Sequence, residues 1–163
     1  MKETLEIREA TEEDLPSLLT LYEQLHLKRG LGLSLEEARR IFERVRRNPD
    51  YRIYIAAADG KVIGTFSLLI MENLAHRGAP MSFVENVVVD EVWRGKGVGK
   101  RMMEFGMDRS REMGCYKVTL SSHLEREAAH RFYESLGFRK HGYSFWVELA
   151  KKKRPKDKIE PLH

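Results

Sequence analysis

Leu5 and Ile7 alternate with polar neighbours over residues 4–8, which predicts a short strand. Directly after it, Leu15, Leu18, Leu19, Tyr22 and Leu25 recur at helical spacing behind Thr11 and Asp14, a capping pair three residues apart. Pro16 falls in the first turn of that helix, where the loss of one backbone donor is best tolerated. The pattern breaks at "RGLGL". Ser34 and Glu37 then make a second capping pair, and Leu35, Ala38, Ile41, Phe42 and Val45 form the apolar stripe of a second helix ending near Asn48 and Pro49. "YRIYIAAADGKVIGTFSLLIM" is two β-rich runs around Asp59-Gly60, a strong hairpin signal, so these strands are expected to be antiparallel. A polar loop, "ENLAHRGAP", leads into "MSFVENVVVD", whose Val87, Val88 and Val89 are expected to be buried on both faces.

From Val98 the period becomes helical, with Val98, Met102, Phe105, Arg109 and Met113 on one side. "CYKVTL" predicts a strand from Cys115. Residues 125–136 predict a helix with Ala129, Phe132 and Leu136 inward and Gly137 as its stop. Residues 138–149 return to strand patterning, with a break at His141-Gly142. The expected order is β-α-α-β-β-β-α-β-α-β, with a further strand if the break at His141-Gly142 divides the last one, an α/β (α+β) arrangement in which helices pack on a mixed sheet.

Composition narrows the function more than the fold. A chain of 163 residues with 42% hydrophobic content is one domain long, here residues 1–150, followed by a basic, proline-containing tail, 151–163, expected to be solvated. Twenty-nine basic residues against 25 acidic ones leave a net charge of +4, too modest to argue for nucleic acid as the partner. No run reaches the ~18 apolar residues of a membrane span and the start lacks a signal-peptide core, so a cytoplasmic protein without a membrane partner is expected. Cys115 is the one cysteine, which rules out an internal disulfide and a cysteine-built metal cage; no metal is expected.

The stretch "DEVWRGKGVGKRMM" is the chemically suggestive one. Gly95, Gly97 and Gly99 permit positive φ and close approach of a ligand to main-chain N–H groups. A helix starting near Val98 aims its unpaired N–H groups and dipole at the same place, and Arg94, Lys96 and Lys100 add charge, so the pattern fits a phosphate or pyrophosphate. Neither usual nucleotide motif matches. A P-loop would need glycine at Arg94 and a hydroxyl at Arg101, and the dinucleotide fingerprint would need glycine at Lys100.

Arg94-x-x-Gly97-x-Gly99 does match the [QR]-x-x-G-x-[GA] signature of the GNAT superfamily of acetyl-CoA-dependent N-acetyltransferases, and "AAHRFYESLGF" resembles that family's second hallmark. The resemblance runs from Leu5 to about Leu149. It implies a mostly antiparallel sheet of six to seven strands with about four helices, and acetyl-CoA as co-substrate. The loop from Arg94 through Gly95, Lys96, Gly97, Val98 and Gly99 to Lys100 would hold the pyrophosphate, and Val87, Val88 and Val89 would pair with the pantetheine arm. Amine acetylation needs a base for the ammonium proton and an acid for the departing thiolate. Glu85, where many members carry an acidic residue, is the candidate base, with burial beside Phe83 and Val87 expected to raise its pKa. Tyr133, at the family's Phe-Tyr position, is the candidate acid, and His130, one turn away, a candidate for orienting the cofactor. Arg126 departs from the asparagine that many members carry there. The basic segments "HLKRGLGLS", "ENLAHRGAP" and "RKHGYSF" would border the acceptor and suit a small primary amine bearing an anionic group, with a weak likeness to aminoalkylphosphonate acetyltransferases. Alternatives are a protein lysine or N-terminal acetyltransferase and a non-catalytic acetyl-CoA-binding regulator. GNAT proteins often dimerise through C-terminal strands, which implies a homodimer.

Overall fold

A computed structural model of the chain describes residues 4–25 and 32–149. His26, Lys28 and Arg29, expected beside the acceptor, and the tail 151–163 lie outside the described residues. A single mixed sheet runs in the order β1 (Leu5–Glu9), β2 (Tyr51–Ala58), β3 (Lys61–Met71), β4 (Met81–Val89) and β5 (Val118–Leu120). The first three neighbouring pairs are antiparallel and β4–β5 is parallel. Four α-helices cover it: α1 (Leu15–Glu23), α2 (Leu35–Arg47), α3 (Val98–Glu112) and α4 (Glu127–Ser135). Among the described residues no helix is long and apolar enough to cross a membrane.

Local chemistry sets most boundaries. The Thr11 amide donates to Asp14 Oδ2 at 2.7 Å, and Arg8 grips the same carboxylate through both terminal nitrogens at 2.7 and 2.9 Å. This buried carboxylate fastens the end of β1 to the start of α1. At α2, Ser34 and Glu37 make the reciprocal capping box that their spacing predicts, and Asp59-Gly60 turns β2 into β3 with both residues at positive φ.

The sheet has two cores. On one face Tyr54, Phe66, Leu68 and Val84 pack against Val98, Met102 and Met103 of α3. On the other, Leu15 and Leu18 of α1 and Phe42 of α2 pack on Ile55 and Ala57. The α3 stripe is rotated from the expected one: Met103, Gly106 and Ser110 are buried, Arg109 is exposed and Met113 is half exposed. Two contacts account for the rotation. A Cβ on Gly106 would meet the Phe66 ring at 3.2 Å, and the Ser82 hydroxyl donates to Ser110 Oγ at 2.8 Å.

The strand count is also corrected. Five strands, not six to seven, form among the described residues, because residues 139–149 are exposed and join no sheet. The strand predicted from Cys115 begins at Val118.

Candidate active site

β4 changes character halfway along. It pairs with β5 only from Ser82↔Val118 to Val84↔Leu120, whereas its pairing with β3 continues to Val89↔Gly64. From Glu85 onward the two parallel strands part, and the β5-side main-chain groups of β4 are left open to a ligand that can pair like a strand. A bulge sits at the point of parting: Thr65 and Ser67 lie two residues apart opposite Val88 and Glu85, three apart, with Asn86 at φ 52°. Asparagine tolerates the left-handed region better than most residues, and that tolerance was the readable signal for the bulge in "VENVVV".

The opened strand runs directly into the glycine loop. Asp90 Oδ1 accepts from the Val92 amide at 3.0 Å and starts a short 3-10 turn, Glu91–Trp93. Gly97, at φ 82°, is the N-cap of α3, and nothing lies within 4 Å of where a Cβ would stand at Gly95 or Gly97. The first intrahelical bond runs from the Arg101 amide to the Gly97 carbonyl at 3.1 Å, so the amides of Val98, Gly99 and Lys100 have no acceptor within the helix. Donors, dipole and open space converge at one helix start. A pyrophosphate fits such a cradle.

Two residues of this loop also make contacts within the chain. Gly99 lies in the first turn of α3, not in a turn before it, and a Cβ there would stand 3.2 Å from the Phe132 ring, so the glycine also lets α4 pack close. The Arg94 side chain is engaged within the chain, its Nε donating to the Val89 carbonyl at 3.0 Å and its Nη2 to Gln24 Oε1 at 3.1 Å. Arg94 therefore pins the loop to β4 and α1. Lys96 lies over the Trp93 ring and Lys100 pairs with Glu104 at 3.8 Å.

The Gly99–Phe132 contact brings α4 to the opening. Tyr133, Val87 and Val89 pack against the same core, while Val88 is buried on the other face; Val87 and Val89 are half-buried, short of the full burial expected. The Tyr133 ring stands between Phe132 and Phe138, with centroids 5.1 and 5.8 Å away. Burial pushes its phenol above the usual tyrosine range, and the charge of Arg126 draws it part of the way back. This Coulombic role of Arg126 was not foreseen from sequence. His130 Nε2 is 2.9 Å from the His123 carbonyl, a contact that fixes the entry to α4.

Glu85 is exposed, against the burial expected for it. Ser82 and Val84 face α3, so Glu85 points to the α1 side, in register with Ser67. Tyr22 lies on that side; burial pushes its phenol up, and the Thr65 and Ser67 hydroxyls pull it the other way. The base and acid candidates thus belong to opposite faces of the sheet, with the β4–β5 opening between them. His76 stacks on Tyr116 at 4.4 Å in the loop before β4, at the far end of that strand from the glycines. Arg139, Lys140 and His141 are exposed beyond α4. Among the described residues no cluster of His, Cys, Asp or Glu could hold a metal ion.

Comparison with known proteins bears on the same elements. A glucosamine 6-phosphate N-acetyltransferase of Trypanosoma brucei brucei is 37% identical over 146 residues, 89% of this chain and 96% of the relative. An aminoalkylphosphonate N-acetyltransferase of Salmonella typhimurium is 29% identical over 144 residues, 88% and 91% of the two chains. The crystal structure of glucosamine-6-phosphate N-acetyltransferase from Arabidopsis thaliana superposes with a TM-score of 0.79 at 31% identity, covering 91% of this chain and 100% of that one. The model of the Acetyltransferase (GNAT) family matches residues 11–138, which take in the opened strand, the glycine loop and both helices beside it. The chain therefore belongs to the GNAT acetyltransferases and is an N-acetyltransferase with acetyl-CoA as its co-substrate.

Proposed function

We propose that the chain acetylates the primary amine of a small metabolite that also carries a phosphate or phosphonate group. One observation carries this reading: two relatives aligned over nearly their whole length are named for such acceptors, glucosamine 6-phosphate and an aminoalkylphosphonate. The exposed Arg139, Lys140 and His141, with Arg77 before β4, agree with an anionic acceptor.

Acetyl-CoA supplies an activated acetyl thioester. The amides from Gly95 to Lys100 hold its pyrophosphate, and the open main chain of Val87, Val88 and Val89 holds the pantetheine arm. An alkylammonium is unprotonated only to ~0.1% or less at neutral pH, so removal of its proton matters. Glu85 takes that proton through water, which its exposure allows. Tyr133 gives a proton to the departing sulfur; its raised pKa keeps the phenol in the donating form at neutral pH. His130 orients α4 through the His123 carbonyl. The enzyme works as a homodimer.

Thiol release from acetyl-CoA, measured with glucosamine 6-phosphate, short aminoalkylphosphonates, their counterparts lacking phosphorus and a lysine peptide, tests the reading. The expected kcat/KM is at least ~10-fold higher for the phosphorus-bearing amines, about 1.4 kcal/mol of discrimination. Equal rates for the counterparts, or faster acetylation of the peptide, would overturn it.

A further inference from the structure

The cross-strand row that ends at Glu85 contains a hydroxyl without a partner. Ile53 of β2 stands opposite Ser67 of β3, and Ser67 opposite Glu85 of β4, so the three share the α1 face of the sheet. Ile53 packs into the α1 core, Glu85 is exposed, and Ser67 between them is fully buried. A buried hydroxyl is costly unless it is hydrogen-bonded, and among the described residues Ser67 Oγ has no partner. Thr65, two residues earlier on the same strand, is settled: its Oγ1 donates to the Tyr54 carbonyl at 2.8 Å. Tyr22 of α1 packs against the same core, with its phenol close enough for the Thr65 and Ser67 hydroxyls to act on it. It comes near Ser67 without bonding it. Polar groups held at that kind of separation are spaced for a bridging water.

We propose that Tyr22 and Ser67 are positioning residues for the acetyl transfer, their hydroxyls holding the water through which Glu85 draws the acceptor's proton. This rests on the reading of Glu85 as the base and names what fixes its water. Directly opposite strand residues have Cβ atoms ~4.5–5.5 Å apart, which puts the Ser67 hydroxyl and the Glu85 carboxylate within one water of each other. Such a water is fully used: it accepts from the Tyr22 hydroxyl and from the acceptor's ammonium, and donates to Ser67 Oγ and to Glu85. Ser67 thereby gains its partner. In the transfer one N–H bond of the ammonium breaks with its electron pair left on nitrogen. That proton passes to the water oxygen while a water proton passes to the Glu85 carboxylate, so the water is regenerated. Tyr22 exchanges no proton. Burial keeps its phenol neutral and donating, Tyr51 of β2 adds to that effect, and Glu85 shares its face of the sheet.

Steady-state kinetics with glucosamine 6-phosphate, and a crystal structure of the full chain at a resolution that shows ordered water, test this from two directions. Tyr22→Phe and Ser67→Ala each remove one oxygen, and far-UV circular dichroism checks that the fold is kept. Each is expected to lower kcat ~10-fold near pH 7 with the KM for acetyl-CoA unchanged. The deficit is expected to shrink as pH rises and the amine loses its proton unaided. In a Glu85→Gln background either substitution is expected to add less than about 2-fold, because the water then serves no base. The wild-type crystal is expected to show a water bonded to both hydroxyls, and the Ser67→Ala crystal to have lost it. Effects that multiply with Glu85→Gln, or deficits constant with pH, overturn the positioning role and leave Glu85 standing as the base. A Glu85→Gln enzyme as fast as the wild type overturns the base reading and this proposal with it. The crystal needs no acceptor, so it decides even where glucosamine 6-phosphate is not turned over: no water between Tyr22 and Ser67 overturns the proposal.

Discussion

The two sides of the β4–β5 opening are made differently. The proposed cofactor side is main chain and packing: an opened strand, a glycine N-cap at φ 82°, a helix start, and α4 seated against Gly99. The proposed acceptor side is exposed side chains, Glu85 on the sheet and Arg139, Lys140 and His141 beyond α4. A ligand common to a whole family can be held by backbone, which every sequence has. An acceptor that differs between members needs side chains, which can change without disturbing the fold.

Substitutions should divide along that line. Tyr133→Phe removes the proposed proton donor but keeps the ring between Phe132 and Phe138, so kcat is expected to fall ~10²–10⁴-fold with the KM for acetyl-CoA within about 3-fold, measured by steady-state kinetics. The wild-type rate should also hold past the usual tyrosine range before falling at alkaline pH, because burial raises the phenol's pKa. Glu85→Gln is expected to lower kcat ~10–100-fold near pH 7. The deficit should shrink as pH rises, since the amine gains neutral fraction about tenfold per pH unit without help; a deficit constant with pH would remove Glu85 as the base.

Gly97→Ala tests the backbone side. A Cβ in the left-handed region costs ~1–2 kcal/mol, expected as a 5- to 30-fold higher KM for acetyl-CoA with kcat nearly unchanged. The smallest effect belongs to neither side. Asp14→Asn breaks the Arg8 and Thr11 contacts and is expected to cost about 1–2 kcal/mol in urea unfolding, with kinetics intact. The Arg8 hydrogen bonds hold the Asp14 carboxyl below its ordinary value of 3.8. The wild type's advantage over the variant should therefore be complete above that value and disappear as pH falls through the lower, folded-state one.

What could be read from sequence follows the range of the interactions. Capping at Ser34 and Glu37, the Asp59-Gly60 turn and the Gly137 stop depend on a few adjacent residues, and all are present. The α3 stripe was misjudged by a rotation because Gly106 and Ser110 are inside only by virtue of Phe66 and Ser82, 40 and 28 residues earlier in the chain. Gly99 and Arg94 sit where the motif puts them but act on Phe132 and Gln24, partners that the motif does not contain. Residues 138–149 have the period of a strand, and a period says nothing about which edge will receive it.

The bulge at Asn86 has a consequence for how β4 can vary. Before it, Ser82 and Val84 face α3; after it, Val87 and Val89 do, so the strand switches parity once. One continuous strand can thereby offer a carboxylate to the α1 face and valines to the opposite core without breaking its pairing to β3. Its two halves are separately tunable. Deleting Asn86 would remove the extra residue and leave Val87 and Val89 on the α3 face, whereas flattening the bulge with every residue kept would turn the second half inside out, a larger change than any substitution along the strand.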